Sequence, residues 1–132
     1  MNALLDTHIL LWWFEDQKRL SHKQLNVLSS ASADSPLDVA DISLWEIATL
    51  YGLGRIELTV PLREWLEDAV APPLVRRRRI TPAIAAELQS LPDSFHRDPA
   101  DRILVATARV HGLTLLTNDR RITQAQLVET LS

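Results

Sequence analysis

DPADRILVATARVHGLTLLTND, residues 98–119, encodes a helix and a strand in one unbroken run. Asp98 is a helix-capping residue type, and Pro99 suits the first helical position, where its missing N–H costs nothing. A long apolar helix to His111 follows, and Gly112 stops it. Leu113 to Thr117 is then a buried strand, and the acid Asp119 comes directly after it.

Outward from this stretch the same alternation recurs. Ala3 to Asp6 reads as a short buried strand, and His8 to Glu15 as a helix start or a buried turn. Ser21 caps a helix to Ala31. After the loop Ala33 to Pro36, Leu37 to Asp41 reads as a second strand. Ser43 is expected to cap a helix from Leu44 to about Tyr51, stopped by Gly52 and Gly54. Pro61 opens a helix over Leu62 to Val70, and Pro72-Pro73 breaks the chain. Leu74 to Ile80 is a further candidate strand. Thr81-Pro82 starts a helix to about Leu91. Arg120 to Ser132 shows no readable pattern. Apolar strands alternating with helices predict an α/β fold, a parallel sheet with helices on both faces. The length, 132 residues, suits one domain over the whole chain.

Composition narrows the chemistry. The chain has no cysteine, which excludes disulfides and thiolate zinc sites. Its histidines, His8, His22, His96 and His111, lack ligand spacing. Any bound metal would therefore be held by oxygen, which favours Mg²⁺ or Mn²⁺. A net charge of −3 argues against a general nucleic-acid coat protein but not against a nuclease with a local basic patch. No apolar run approaches the roughly 18 residues of a membrane span. The start meets an acid at once and has no basic n-region, so a cytoplasmic protein is expected.

Four carboxylates stand against apolar stretches: Asp6, Glu46, Asp101 and Asp119. Acids seldom sit there unpaired. Each is expected at the same edge of the sheet. Asp6 ends the first strand and Asp119 follows the last. Glu46 and Asp101 fall in the first turns of helices that begin there. Four such groups stay ionised together only if cations compensate them. A metal-bound water is a nucleophile at neutral pH, so hydrolysis of a phosphodiester is the natural reaction. Structural roles compete for each residue. Asp98 reads as an N-cap, Asp101 as a capping-box acid, Asp119 as a turn residue and Asp6 as a cap for the next helix. Glu46, in so apolar a helix, has the least structural reason to be acidic.

The chain resembles a PIN-domain protein of the VapC type, the toxin half of type II toxin–antitoxin pairs. The matching stretches are Leu4-Leu5-Asp6-Thr7-His8, Ser43-Leu44-Trp45-Glu46-Ile47-Ala48, His96-Arg97-Asp98-Pro99-Ala100-Asp101-Arg102 and Leu116-Thr117-Asn118-Asp119. The resemblance implies a three-layer α/β/α fold and Mg²⁺- or Mn²⁺-dependent ribonuclease activity. It implies an acidic site on Asp6, Glu46, Asp101 and Asp119. It suggests Thr117 or Asn118 as a water-orienting or supporting residue and Asp98 as an accessory acid. It also implies a homodimer and an antitoxin that covers the groove. Asp41 departs from the pattern, because relatives carry a small residue just ahead of the Ser/Trp-Glu stretch. It is read as a solvated strand end, ahead of the alternative of a fifth acid near the site.

The run Arg76-Arg77-Arg78-Arg79 cannot lie on a buried central strand, so this strand is expected at the sheet edge. Its candidate roles are a charged edge that blocks aggregation, RNA phosphate binding and antitoxin contact. Arg102 follows Asp101; it is read either as orienting a carboxylate or an RNA phosphate, or equally as a structural ion pair. His8 is read as helix packing and His96 as loop surface. Trp12-Trp13-Phe14 cannot all face one core, which leaves part of the trio for an interface. Two other readings remain open: a different Mg²⁺-dependent phosphoryl hydrolase, although Asp6-Thr7-His8 lacks the D-x-D pattern, and a catalytically weak PIN-like binding module.

Overall fold

The structure, a computed structural model, describes residues 2–132. A parallel sheet of five strands has the order β3-β2-β1-β4-β5. The strands are β1 (Ala3–Leu5), β2 (Leu37–Ala40), β3 (Val75–Arg78), β4 (Thr114–Leu116) and β5 (Thr130–Leu131). The helices are α1 (Thr7–Glu15), α2 (His22–Ser29), α3 (Asp41–Gly52), α4 (Leu62–Ala69), α5 (Pro82–Glu87), α6 (Pro99–His111) and α7 (Arg120–Ala125). Among the described residues no helix is long and apolar enough to cross a membrane.

Side chains alternate across each strand, and this alternation builds two cores. Ala3, Leu5, Leu37, Val39 and Leu116 face one side, where Ile9 and Leu10 of α1, Leu28 of α2, Ile47 of α3 and Trp65 of α4 cover them. Leu4, Ala40 and Leu115 face the other, under Leu104, Val105 and Ala108 of α6 and Ile122 of α7. The three-layer arrangement follows, because a sheet apolar on both faces must be covered on both.

The capping signals act largely as the sequence predicts. Ser21 and Gln24 form a reciprocal capping box at the start of α2. Thr81 caps α5 and Asp98 caps α6, each followed by proline. Gly112 closes α6 at φ +64°, a left-handed conformation that a side chain would strain. Ser43 is the exception: the helix starts at Asp41, with Ala40 in the capping position and no side-chain cap. Ser43 is instead buried, and its Oγ accepts from the Thr7 hydroxyl at 3.0 Å. Asp41 is thus a first-turn residue, where an acid suits the helix dipole. The unreadable tail contains α7 and β5, which pairs Thr130 with Leu115 and Leu131 with Leu116.

β3 lies at the sheet edge, as four arginines require. Arg76 and Arg78 turn to the fully buried Asp38 of β2, at 2.8 Å and 3.4 Å, and Arg77 pairs with Asp41. Removing both cations from Asp38 strands a buried charge. The double variant Arg76→Ala/Arg78→Ala is expected to lose about 3–5 kcal/mol in urea denaturation. A loss below about 1 kcal/mol would show that water reaches Asp38 and the pairing is dispensable.

Candidate active site

Strand register brings the first and last acids together. Leu5 lies opposite Leu116, and the Asp6 N–H donates to the Leu116 carbonyl at 3.0 Å. The chain thus leaves β1 at Asp6 and β4 at Thr117 side by side. Asp6 caps α1, its Oδ1 accepting from the Thr7 N–H at 2.7 Å. Its Oδ2 accepts from the Thr117 hydroxyl at 2.6 Å. Thr117 Oγ1 in turn accepts from the Asp119 N–H at 3.0 Å, which fixes the turn carrying that acid. Thr117 is fully buried and serves Asp6 and Asp119 at once.

Asp6, Glu46, Asp98, Asp101 and Asp119 line one cleft of about 400 Å³ at the carboxyl edge of the sheet. Asn118, His8, Trp12, Leu50, Arg55 and Arg121 complete its walls. Asp98 accepts from the Asp101 N–H at 3.1 Å, so it is a true cap that also faces the cleft. The Asp101 carboxylate is not spent on that cap and points to the other acids. Glu46 reaches the cleft from the second turn of α3, one turn later than the sequence predicts, because the helix begins at Asp41.

The electrostatics are those of acids held together without enough cations. Burial raises the Asp6 pKa from 3.8 to about 6, and the charge of Asp101 adds to this. Asp6 makes no ion pair among the described residues. Burial also raises Glu46, helped by the charges of Asp6 and Asp98. Asp101 is raised by burial and by Asp98 and Asp119, against a hydrogen bond from His96. Burial works against ionisation of Asp119 too, but hydrogen bonds from the Arg121 side chain and backbone prevail and lower its pKa.

Three residues take up places the sequence did not suggest. His96, expected on the loop surface, sits with Nε2 at 2.7 Å from Asp101 Oδ2, its Nδ1 buried without a partner. The loop is held there by Arg102, which donates to the Phe95 and His96 carbonyls at 2.9 and 3.1 Å and lies over the Phe95 ring. Arg102 therefore supports a carboxylate through His96 rather than by touching one. His8, expected in helix packing, is exposed at the cleft. Gln24, fully buried, reaches across 94 positions to donate to Asn118 Oδ1 at 2.9 Å. No sequence signal pairs Gln24 with Asn118, since its capping role explains it completely. None of Arg76, Arg77, Arg78 and Arg79 lines the cleft.

The five carboxylates offer a hard divalent cation oxygen ligands, and the most buried, Asp6, makes no ion pair among the described residues. Among the described residues, however, no three acids or histidines stand close enough to hold an ion as they are. Two protein donors meet these acids instead. Arg121 lies 3.1 Å from Asp119 and 3.6 Å from Asp101 Oδ2, the same oxygen that His96 meets at 2.7 Å.

A model of the PIN domain family matches residues 3–127. Ribonuclease VapC22 of Mycobacterium tuberculosis (strain ATCC 25618 / H37Rv) is 42% identical over 120 residues, 91% of this chain and 88% of that protein. The fold matches VapBC2 from Rickettsia felis, solved bound to a DNA fragment from their promoter, with a TM-score of 0.73 at 14% identity. That match covers 99% of this chain and 98% of that one. FitAcB from Neisseria gonorrhoeae gives a TM-score of 0.67 at 20% identity, covering 98% and 96%. A toxin–antitoxin complex from Klebsiella pneumoniae gives 0.67 at 18%, covering 99% and 97%. The acids that apolar neighbours singled out lie where this fold gathers its strand ends, and the chain belongs to the PIN-domain family, on its VapC branch.

Proposed function

We propose that the chain is a Mg²⁺- or Mn²⁺-dependent endoribonuclease, the toxin of a type II toxin–antitoxin pair, acting in the cytoplasm. One observation carries the chemistry: five carboxylates line a single cleft, and the most buried of them, Asp6, makes no ion pair among the described residues. The 42% identity to a protein named as a ribonuclease supports RNA as the substrate. The likeness to toxin–antitoxin complexes supports an antitoxin partner. A homodimer is part of the same reading.

Asp6, Asp101 and Asp119 would hold the metal, with Glu46 on the α3 wall of the cleft. A divalent metal held there would lower the pKa of a water and offset charge on the phosphate oxygens. The chain does the rest. The Thr7 N–H and the Thr117 hydroxyl fix both oxygens of Asp6, leaving the carboxylate no rotational freedom. The Thr117 hydroxyl also positions the Asp119 turn. Asp98 holds the first turn of α6 so that Asp101 enters the cleft. Arg121, exposed at the cleft, can exchange Asp119 and Asp101 for a phosphate oxygen. Arg79 and the paired arginines of β3 lie outside the cleft, so any RNA contact by Arg76 to Arg79 lies along a flanking track.

Purified chain is expected to cleave single-stranded RNA with Mg²⁺ or Mn²⁺ and to lose at least about a hundredfold of that rate in EDTA. Restored cleavage on adding Mn²⁺ back completes the test. Equal cleavage with and without EDTA would defeat the metal-dependent reading.

A further inference from the structure

We propose that Gln24 is a positioning residue. It turns the Asn118 amide so that the NH₂ group faces the acidic cleft and donates to a non-bridging oxygen of the phosphodiester. The identity of the ligand rests on the nuclease reading above; the orientation of the amide does not.

The orientation follows from hydrogen-bond polarity. A peptide N–H can only donate, and a peptide carbonyl can only accept. The Ser21 N–H donates to Gln24 Oε1 at 3.1 Å, and Gln24 Nε2 donates to the Leu131 carbonyl at 3.2 Å. These two backbone groups fix which end of the Gln24 amide is oxygen and which is nitrogen. Gln24 is fully buried, so water cannot exchange the roles. The second hydrogen of Nε2 goes to the Asn118 side chain at 2.9 Å, which must therefore present Oδ1. Asn118 Nδ2 is left as the outward end. Among the described residues nothing accepts from it, and Asn118 lines the cleft with Asp6, Asp101 and Asp119.

The consequence is chemical. The acids repel a phosphate that approaches without a cation. A neutral NH₂ attracts it and competes for no metal site. The opposite orientation would add one more oxygen to an already anionic wall. Gln24 sets this choice from α2, and the same residue closes the α2 capping box.

A double-mutant cycle separates positioning from simple stability. The variants are Gln24→Leu, Asn118→Ala and the pair together. Each is assayed for kcat and KM on a single-stranded RNA, and for affinity toward the same fluorescein-labelled RNA by anisotropy with Ca²⁺ in place of Mg²⁺. Asn118→Ala is expected to lower kcat/KM by about tenfold to a hundredfold, the scale of a hydrogen bond to a charged group. Gln24→Leu should cost a similar factor in the wild-type background and less than about twofold once Asn118 is alanine. Asn118→Asp, exposed and tolerant of folding, still accepts from Gln24 but has no N–H, and should lose at least as much as Asn118→Ala. Equal losses from Gln24→Leu in both backgrounds would overturn the proposal, as would wild-type behaviour of Asn118→Asp. If wild type binds RNA without cleaving it, the nuclease reading fails while the binding cycle still decides the role of Gln24. If wild type does neither, both fail.

Discussion

Asp6→Asn is expected to give a chain that melts higher than wild type at pH 7.5 in EDTA, yet cleaves RNA at least about a thousandfold more slowly. The two effects have one origin. Asp6 is 6% exposed, makes no ion pair among the described residues and has its pKa raised from 3.8 to about 6. For an acid with a raised folded-state pKa, the folded chain keeps its proton while the unfolded chain has lost it. Stability therefore falls as pH rises from about 4 to about 6, and the full penalty persists above that. The gap corresponds to on the order of 3 kcal/mol. The amide nitrogen cannot accept from the Thr117 hydroxyl, so part of the gain is lost. A rise in Tm of about 3–10 °C at pH 7.5 remains, shrinking towards pH 4.5. Mg²⁺ should reverse the order by stabilising wild type and leaving the variant unmoved, because an ion that binds only the folded state raises its stability. Differential scanning fluorimetry across pH 4.5–8, with and without Mg²⁺, reads all of this. A variant that melts lower than wild type throughout would make Asp6 a structural cap and nothing more.

The acids were legible in the sequence because topology constrains them more than local chemistry does. Asp6 and Asp119 directly follow apolar strands, and in a parallel sheet those strand ends share an edge. Asp98 and Asp101 were legible through Pro99, which fixes where α6 starts. Glu46 was placed at the right edge but in the wrong turn. Ser43 resembles a cap in every local respect, yet Asp41 begins the helix and Ser43 is buried against Thr7. Tertiary packing overrode a local signal there. His96, Arg121 and Gln24 were hidden for a different reason. Their partners lie 5, 20 and 94 positions away, and loops or neighbouring elements, not periodicity, set the contacts. α7 and β5 are short, and β5 contributes only two residues to the edge of the sheet. Such a strand is stabilised by β4 beside it and not by its own pattern.

Asp101→Asn is expected to abolish cleavage, by at least about a thousandfold, while changing stability by less than about 1 kcal/mol. This contrast decides between the two roles that the position allows. As the third residue of α6, Asp101 stands where a capping-box acid would reach back to the cap. The helix is capped without it: Asp98 accepts from the Asp101 N–H, a bond that asparagine keeps. The carboxylate itself meets His96 at 2.7 Å and Arg121 at 3.6 Å inside the acidic cleft. Its pKa is raised by burial and by Asp98 and Asp119, so loss of its charge relieves repulsion in the metal-free chain. What the substitution removes is negative charge at the point where three elements converge: the loop of His96, the start of α6 and the start of α7. His96→Asn, by contrast, leaves that charge in place and removes only the group that orients it, so a loss of about tenfold is expected. Kinetics on single-stranded RNA, set beside urea denaturation of each variant, separate these outcomes. If Asp101→Asn costs several kcal/mol of stability and little activity, the carboxylate belongs to the helix; if His96→Asn is as inactive as Asp101→Asn, the imidazole is itself part of the chemistry.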